Sequence, residues 1–147
     1  MLVKSTRFGS VSANDEDVLV FPNGLIGFEK TKHWIILPDR ENSDVAWLQA
    51  TSQPQVALPI VSPRKFIPDY KVTVGQRDLA VLQTRSVDRI FVMLVLSKTG
   101  KTLTANLRGP IIINLTQRIG IQTVINEPLP LALPLVQTTQ GTIRVAA

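Results

Sequence analysis

Short apolar runs that end at turn residues recur along the chain and predict a protein built mainly from β-strands. Strands are expected at residues 2–8, 17–21, 33–37, 45–50, 55–61, 87–97, 101–107, 110–114, 120–125 and 141–146. Residues 90–96 form the longest continuous apolar run, and its lack of alternation predicts a strand that is buried on both faces. The chain is therefore expected to fold as a set of short strands joined by tight turns.

Helix signals are scarce by comparison. Residues 75–84 are the best candidate, because they are helix-tolerant and place Leu79 and Leu82 three positions apart. Residues 127–134 alternate leucine with proline, which argues against a regular helix or a central strand and favours an extended segment. Its leucines either pack on the rest of the fold or form an exposed apolar strip. Together the signals predict a mainly β, small, single-domain β-barrel-like fold over residues 1–147, with at most one short helix.

The densest turn signal lies in residues 20–29. An apolar run stops at Pro22, which has no N–H with which to continue a ladder. Asn23 and Gly24 both tolerate the positive φ that a tight reversal needs, and Gly27 follows two apolar residues later. A phosphate-binding loop would need a Gly-Lys-Ser/Thr sequence followed by a helix, and this segment has neither. We therefore interpret these residues as structural turn positions.

A second turn signal lies between two predicted strands, where Asn106 and Asn114 flank Leu107, Arg108, Gly109 and Pro110. Asparagine side chains bond to nearby backbone and so fix tight corners. One interpretation is a purely structural corner. The alternative is a corner that presents Arg108 and the asparagine amides to a partner.

The composition limits the class of protein. The 147 residues are 44% hydrophobic and 18% charged, a balance typical of a folded chain. Cysteine is absent, which excludes disulfides and thiolate metal ligands. No signal-peptide pattern and no apolar run of about 20 residues is visible, so we expect a cytoplasmic protein without membrane association.

The charge is uneven along the chain. Residues 1–75 carry eight Lys/Arg and eight Asp/Glu, whereas residues 76–147 carry eight Lys/Arg and three Asp/Glu, which accounts for the net charge of +5. A basic half leaves a basic nucleic-acid-binding β-barrel protein as an alternative function. The basic residues form no tight run, and one tyrosine without basic–aromatic interleaving disfavours direct nucleic-acid binding.

No catalytic or metal-binding constellation stands out. His33 is the only histidine, and no nucleophile-elbow sequence accompanies it. Residues 15–17 are three consecutive acids but lack the spacing of a Ca²⁺ loop, and we interpret them as a solvated turn. An enzyme that uses Asp69 and Tyr70, or His33, stays open as a further alternative. We expect no enzymatic activity, no metal and no cofactor.

Four motifs in register resemble the flagellar assembly factor family FliW. The first is the segment 20–29, and the second is the tryptophan strand 47–50 with Pro54 and the apolar residues 57–60 after it. The third is the proline-containing connector 63–70, which ends in Asp69 and Tyr70. The fourth is the stretch 104–114, with Arg118, Gly120 and Gln122 at the expected spacing. The resemblance runs in order from about residue 8 to residue 125.

The resemblance implies a small β-barrel-like protein that binds flagellin in the cytoplasm. It also implies binding to the RNA-binding translational regulator CsrA, which relieves the repression of flagellin mRNA. Flagellin and CsrA would occupy the protein alternately, so that flagellin synthesis follows flagellum assembly. A strained turn and a corner present side chains at the rim of a barrel. We therefore expect the partner contacts at the following residues: Phe28, Glu29, Asn106, Leu107 and Arg108.

Overall fold

The computed structural model describes residues 1–137 and 143–146, and over these residues it is mainly β. Twelve strands lie in this described part: β1 (Leu2–Ser5), β2 (Gly9–Ser12), β3 (Leu19–Val20), β4 (His33–Pro38), β5 (Val45–Ala50), β6 (Ala57–Val61), β7 (Ile90–Thr99), β8 (Thr102–Ala105), β9 (Ile111–Asn114), β10 (Ile119–Gln122), β11 (Leu133–Gln137) and β12 (Ile143–Val145). One α-helix, α1 (Gln76–Leu82), and two 3-10 turns, Asp15–Asp17 and Pro63–Lys65, accompany them.

Seven strands close into a ring. The order β7-β6-β5-β4-β3-β10-β9 returns to its start because β9 also pairs with β7, with Ile113 opposite Phe91. All neighbours are antiparallel except β10 and β3, which run parallel through Ile119 and Val20. Closure leaves these seven strands without a free sheet edge in the ring.

The ten-residue strand β7 takes part in both the barrel and a second, attached sheet. Its first residues pair with β9, and Leu94 and Val95 pair with β6. The β6–β7 ladder ends opposite Ile60, and the preceding β6 residue, Pro59, has no N–H to extend it. From Leu96 onwards β7 pairs with β8 instead, and β11 and β12 continue this sheet beyond the barrel.

The barrel interior is filled by apolar side chains from six of the seven strands of the ring, and the seventh strand, β10, places Gly120 under the Phe21 ring. Side chains alternate along β4, so that Trp34 points inwards while Ile35 packs outwards against the β1–β2 hairpin. On β9 the same alternation sends Ile113 inwards and Ile112 outwards towards Leu82 of α1. A second apolar cluster under the β7–β8–β11–β12 sheet is separate from the barrel core and includes Leu96.

The predicted mainly β, barrel-like fold with one short helix is confirmed. The helix begins after Gly75 and ends at Gln83, whose φ of +52° is left-handed. Strand β2 was not predicted, because its four residues contain a single large apolar side chain, Val11. The predicted final strand is present as β12, although residues 141 and 142 of that prediction lie outside the described residues.

Two expectations were wrong. Strand β7 is not buried on both faces along its length, since Ile90 and Phe91 are 39% and 38% exposed at its start. The Leu–Pro segment also enters a central strand, because Leu133 and Pro134 begin β11 between β8 and β12. Proline fits there because of the direction in which its backbone faces. The Pro134 carbonyl accepts the Ala146 N–H, and the nitrogen of the same residue faces the same side, towards the end of β12. The missing N–H of Pro134 therefore removes no hydrogen bond to β8.

Candidate partner-binding rim

One end of the barrel is sealed by aromatic side chains. Phe21 and Trp34 are fully buried there, with ring centroids 6.5 Å apart in an edge-to-face arrangement. Phe21 covers Gly120 so closely that a Cβ on that glycine would lie 2.3 Å from the ring. The Trp34 indole N–H donates to the Thr31 carbonyl at 3.1 Å, which satisfies its only polar atom. We call this the closed end.

The turn formed by residues 22–29 lies on the closed end, between β3 and β4. Gly24 has a φ of +67°, and a Cβ there would lie 2.5 Å from the Phe28 carbonyl oxygen, so only glycine fits. Gly27 also has a positive φ, of +87°, whereas Asn23 does not adopt the left-handed conformation that its residue type tolerates. Pro22 is exposed and lies just before the reversal, after the end of β3.

The two predicted contact residues of this turn have different environments. Phe28 is half-buried and meets Trp34 edge to face at 6.1 Å. Glu29 is exposed, and its carboxylate accepts the Gly27 N–H at 3.0 Å. This backbone hydrogen bond holds the pKa of Glu29 below its ordinary value, so the residue presents a negative charge.

The corner formed by residues 106–110 lies on the same end, because β8 and β10 end there and β9 begins there. The Asn106 side-chain oxygen accepts the N–H groups of Arg108 and Gly109 at 2.9 and 3.2 Å. Leu107 is buried in the second apolar cluster, with its N–H bonded to the Pro130 carbonyl. The corner therefore presents the half-buried Arg108 side chain rather than the buried Leu107 side chain.

Tyr70 fixes the corner from the side of the second sheet. Its hydroxyl donates to the Leu107 carbonyl at 2.6 Å. Burial of the phenol raises the pKa of Tyr70 to about 12. Asp69, its neighbour in the sequence motif, is exposed, so the pair is not gathered into a catalytic arrangement.

Gln122 at the end of β10 joins the turn to the corner. Its side-chain nitrogen donates to the Gly109 carbonyl at 2.8 Å, and its side-chain oxygen accepts the Ile26 N–H at 2.8 Å. Pro110 continues the junction, since its carbonyl accepts the Thr123 N–H. The sequence motif that contains Gln122 gives no sign of this role, because the two partners of Gln122 lie 96 and 13 positions away. We call the surface made by residues 26–29, 106–110 and 122–125 the rim.

Arg108 is the polar group of the rim that the described residues leave incompletely satisfied. Its backbone is fully used, with the N–H bonded to Asn106 and the carbonyl accepting from Ile125. Its side-chain Nε is buried and has no hydrogen-bond partner among the described residues. A buried donor without a partner carries a desolvation cost.

Two exposed apolar side chains flank this arginine along the rim. Ile26 is 58% exposed and Val124 is 60% exposed, and both are among the most exposed large apolar residues described. The sequence alone does not distinguish these two residues, because an apolar residue in a turn gives no sign of its exposure before the strands are placed. An arginine with apolar neighbours is a common composition for a protein-binding surface.

Asn114 lies away from the rim, at the opposite end of β9 from the corner. It is buried, its side-chain nitrogen donates to the Leu82 carbonyl and to Asp88, and its oxygen accepts the Gln117 N–H. The two asparagines that flank Leu107 to Pro110 in the sequence therefore stabilise two different turns. Only Asn106 belongs to the corner.

Within residues 1–137 and 143–146, no group of three or more His, Asp or Glu side chains is arranged to hold a metal ion. His33 is exposed at the start of β4. No helix in that part of the chain is long and apolar enough to cross a membrane.

The fold defines a class: a closed seven-stranded β-barrel with an attached antiparallel sheet. The sequence profile of the FliW protein family matches residues 2–135. The chain belongs to the FliW family of flagellar assembly factors.

Relatives support this assignment. The chain is 38% identical over 128 residues to the flagellar assembly factor FliW of Moorella thermoacetica, covering 85% of this chain and 81% of that protein. It is 33% identical over 129 residues to the factor of Bdellovibrio bacteriovorus, covering 86% and 74%. A crystal structure of the flagellar assembly factor FliW has the same fold, with a TM-score of 0.79 and 24% identity over 86% of this chain and 90% of that one.

Proposed function

We propose that this protein binds flagellin in the cytoplasm and antagonises CsrA by partner exchange, so that flagellin synthesis follows flagellum assembly. Membership of a family of flagellar assembly factors supports a role among flagellar proteins. The rim supports a role carried out by binding. No bond is made or broken in this mechanism.

The single observation that carries the proposed contact surface is the junction at Gln122. Through it, the turn and the corner form one continuous surface, although they are about 80 residues apart in the sequence. Phe28 supports this surface from below, and Glu29 and Arg108 supply opposite charges at its two sides. Asn106 and Leu107 hold the corner in shape rather than contact the partner through their side chains.

Arg108 supplies the specificity in this proposal. A partner carboxylate placed at the half-buried Arg108 side chain would accept charge-assisted hydrogen bonds from its guanidinium. Such bonds are worth roughly twice a neutral one. Ile26 and Val124 would contribute apolar area beside this pair.

Partner exchange then follows from linkage. If flagellin and CsrA both need the rim, each lowers the apparent affinity of the other to an extent set by its own concentration relative to its own dissociation constant. Secretion of flagellin would free the rim for CsrA, and accumulation of flagellin would occupy it. The rim is built from hydrogen-bonded turns on a closed barrel, so we expect it to be largely preformed.

The test is capture of flagellin and CsrA from the source organism by this protein, at about 50 mM and about 300 mM salt. The proposal predicts capture of flagellin at both concentrations and release of bound CsrA when flagellin is added. Failure to capture either protein contradicts it. Nucleic acid that co-purifies only at low salt would instead favour the alternative, a basic nucleic-acid-binding barrel.

A further inference from the structure

The end of the barrel opposite the rim is open. At this end β4 and β9 finish and β7 begins, and the described residues leave Ile36 of β4 and Phe91 of β7 partly exposed. A depression of about 130 Å³ enters the barrel between these strands. Its lining is entirely aliphatic or aromatic apart from the thioether of one methionine: Ile36, Ile60, Phe91, Met93, Ile113 and Leu115. We call this depression the mouth.

Two residues of the mouth, Ile36 and Phe91, are exposed where a filled barrel would bury them, whereas Ile60 and Ile113 are buried. Ile36 follows Trp34 on the inward-facing side of β4, and Phe91 precedes Met93 on the inward-facing side of β7. Trp34 is fully buried, but Ile36 and Phe91 are 37% and 38% exposed. The apolar interior of the barrel therefore reaches solvent at this end.

The size of the mouth fits one side chain. A cavity of about 150 Å³ lined by apolar residues is known to hold a benzene molecule. The mouth, at about 130 Å³, matches a leucine, isoleucine or phenylalanine side chain. Its polar lining is negligible, so the occupant has no hydrogen-bond partner there and must be a hydrocarbon group.

A positive charge beside the mouth, on Arg89, indicates which group would lie next to the bound hydrocarbon side chain. The Arg89 guanidinium carbon lies 5.9 Å from the centre of the Phe91 ring. The backbone N–H of Arg89 donates to the Thr116 hydroxyl. No carboxylate of the described residues is within ion-pair distance of Arg89. A neighbouring groove shares Ile36 and Leu115 with the mouth, and it is lined further on by Arg118, Glu16 and Asp17. The acids lie on that groove rather than on the mouth itself.

We infer that the mouth is a second docking site, which takes a protein segment carrying one bulky apolar side chain next to a carboxylate. The side chain fills the depression between Ile36 and Phe91, and the carboxylate pairs with Arg89. The net charge of +5 favours the approach of an acidic segment. This site lies at the opposite end of the barrel from the rim, so it does not depend on the proposed role of the rim in flagellin or CsrA binding.

The probe for this site is the dipeptide acetyl-Leu-Asp-amide, titrated into the whole protein and followed by methyl NMR. Two matched probes are acetyl-Leu-Asn-amide, which lacks the charge, and acetyl-Ala-Asp-amide, which lacks the bulk. Arg89→Gln removes the ion pair, and Ile36→Glu places a charge in the depression. Leu131→Glu is the control, because Leu131 is 61% exposed and lies outside the mouth.

We expect saturable shifts of the Ile36, Met93, Ile113 and Leu115 methyl groups with acetyl-Leu-Asp-amide. Binding should be about threefold weaker for the uncharged probe, since exposed ion pairs contribute modestly. Arg89→Gln should abolish that difference, and the Leu131→Glu control should preserve it. Ile36→Glu should abolish the shifts, and if this variant does not fold, the Arg89→Gln comparison still decides the question.

Two results would overturn the inference. One is the absence of saturable shifts at the mouth with acetyl-Leu-Asp-amide. The other is equal binding of the charged and uncharged probes by the unaltered protein. Neither result bears on flagellin capture, so the mouth and the proposed function can fail separately.

Discussion

The ring of Phe21 occupies the space that any side chain on Gly120 would need. An ideal Cβ at Gly120 lies 2.3 Å from Cζ and 2.4 Å from Cε2 of Phe21, well inside contact distance. Glycine at this point of β10 is therefore what allows the phenyl ring to seal the closed end. The same seal supports Trp34 and, through it, Phe28 of the rim.

The Gly120→Ala variant tests this relationship. Overpacking of this kind costs roughly 1–3 kcal/mol of unfolding free energy, and Phe21→Ala costs about 3–5 kcal/mol through the cavity that it leaves. The double variant should lose less than the sum, because the added methyl group enters space that the ring has vacated. Urea unfolding of the four proteins measures this coupling. Additive losses would show that the two residues do not compete for the same space.

Gln122→Ala should loosen the rim. The substitution removes two hydrogen bonds and leaves the Gly109 carbonyl and the Ile26 N–H without their partner, at a cost of about 1–2 kcal/mol. Hydrogen exchange of the Ile26 amide should accelerate relative to amides of β5. Gln76→Ala, at the exposed start of α1, is the matched control and should leave this amide unchanged. An unaltered Ile26 exchange rate in Gln122→Ala would contradict the junction.

Tyr70 is the only tyrosine of the chain, so its titration can be followed directly by phenolate absorbance. Its pKa is raised from 10.0 to about 12 because burial disfavours the charged phenolate. The resulting stability is present below the unfolded pKa of about 10 and is lost as the pH rises towards 12. Tyr70→Phe should remove the part of the alkaline loss of stability that comes from this phenol. At neutral pH the variant should lose about 1 kcal/mol of unfolding free energy, because the hydrogen bond to the Leu107 carbonyl is missing. Titration of the folded protein at the ordinary tyrosine pKa would refute the buried environment.

Asp88 should make the stability of the protein depend on pH in the acid range. Its pKa is lowered chiefly by the hydrogen bond from the Asn114 side chain, with the Arg85 N–H and guanidinium also contributing. A lowered pKa means that the stability is present above the ordinary carboxyl pKa and is lost as the pH falls through the folded value. Asp88→Asn should therefore narrow the difference in unfolding free energy between about pH 5 and about pH 2. An acid profile identical to that of the unaltered protein would exclude this carboxylate as a contributor.

The sequence predicted elements whose signals are local, and the junctions between distant elements had to come from the structure. The hairpin of β5 and β6 and the helix after Gly75 follow from turn residues and helix-tolerant residues next to them. Closure of the barrel rests on the pairing of β7 with β9, which no local pattern specifies. The apolar run of β7 predicts burial on both faces, but the exposure of its first residues depends on where the barrel ends, which the run itself does not show.

The candidate site shows the same division. Gly24 and Gly27 could be placed in a turn because positive φ restricts the residue type. Gln122, Ile26 and Val124 could not be assigned to one surface from the sequence, because their relationship exists only when β10 ends beside the turn. Asn106 and Asn114 resemble each other in the sequence but lie at opposite ends of β9.

The affinity of flagellin for the Arg108→Glu variant shows whether the rim is the flagellin-binding surface. Arg64→Glu makes the same charge change in the exposed 3-10 turn after β6, at the end of the barrel away from the rim, and serves as the control. With circular dichroism confirming that both variants are folded, calorimetric titration should show flagellin binding weakened about tenfold or more in Arg108→Glu and nearly unchanged in Arg64→Glu. Equal affinities of Arg108→Glu and the unaltered protein for flagellin would contradict the assignment of the rim as the flagellin-binding surface.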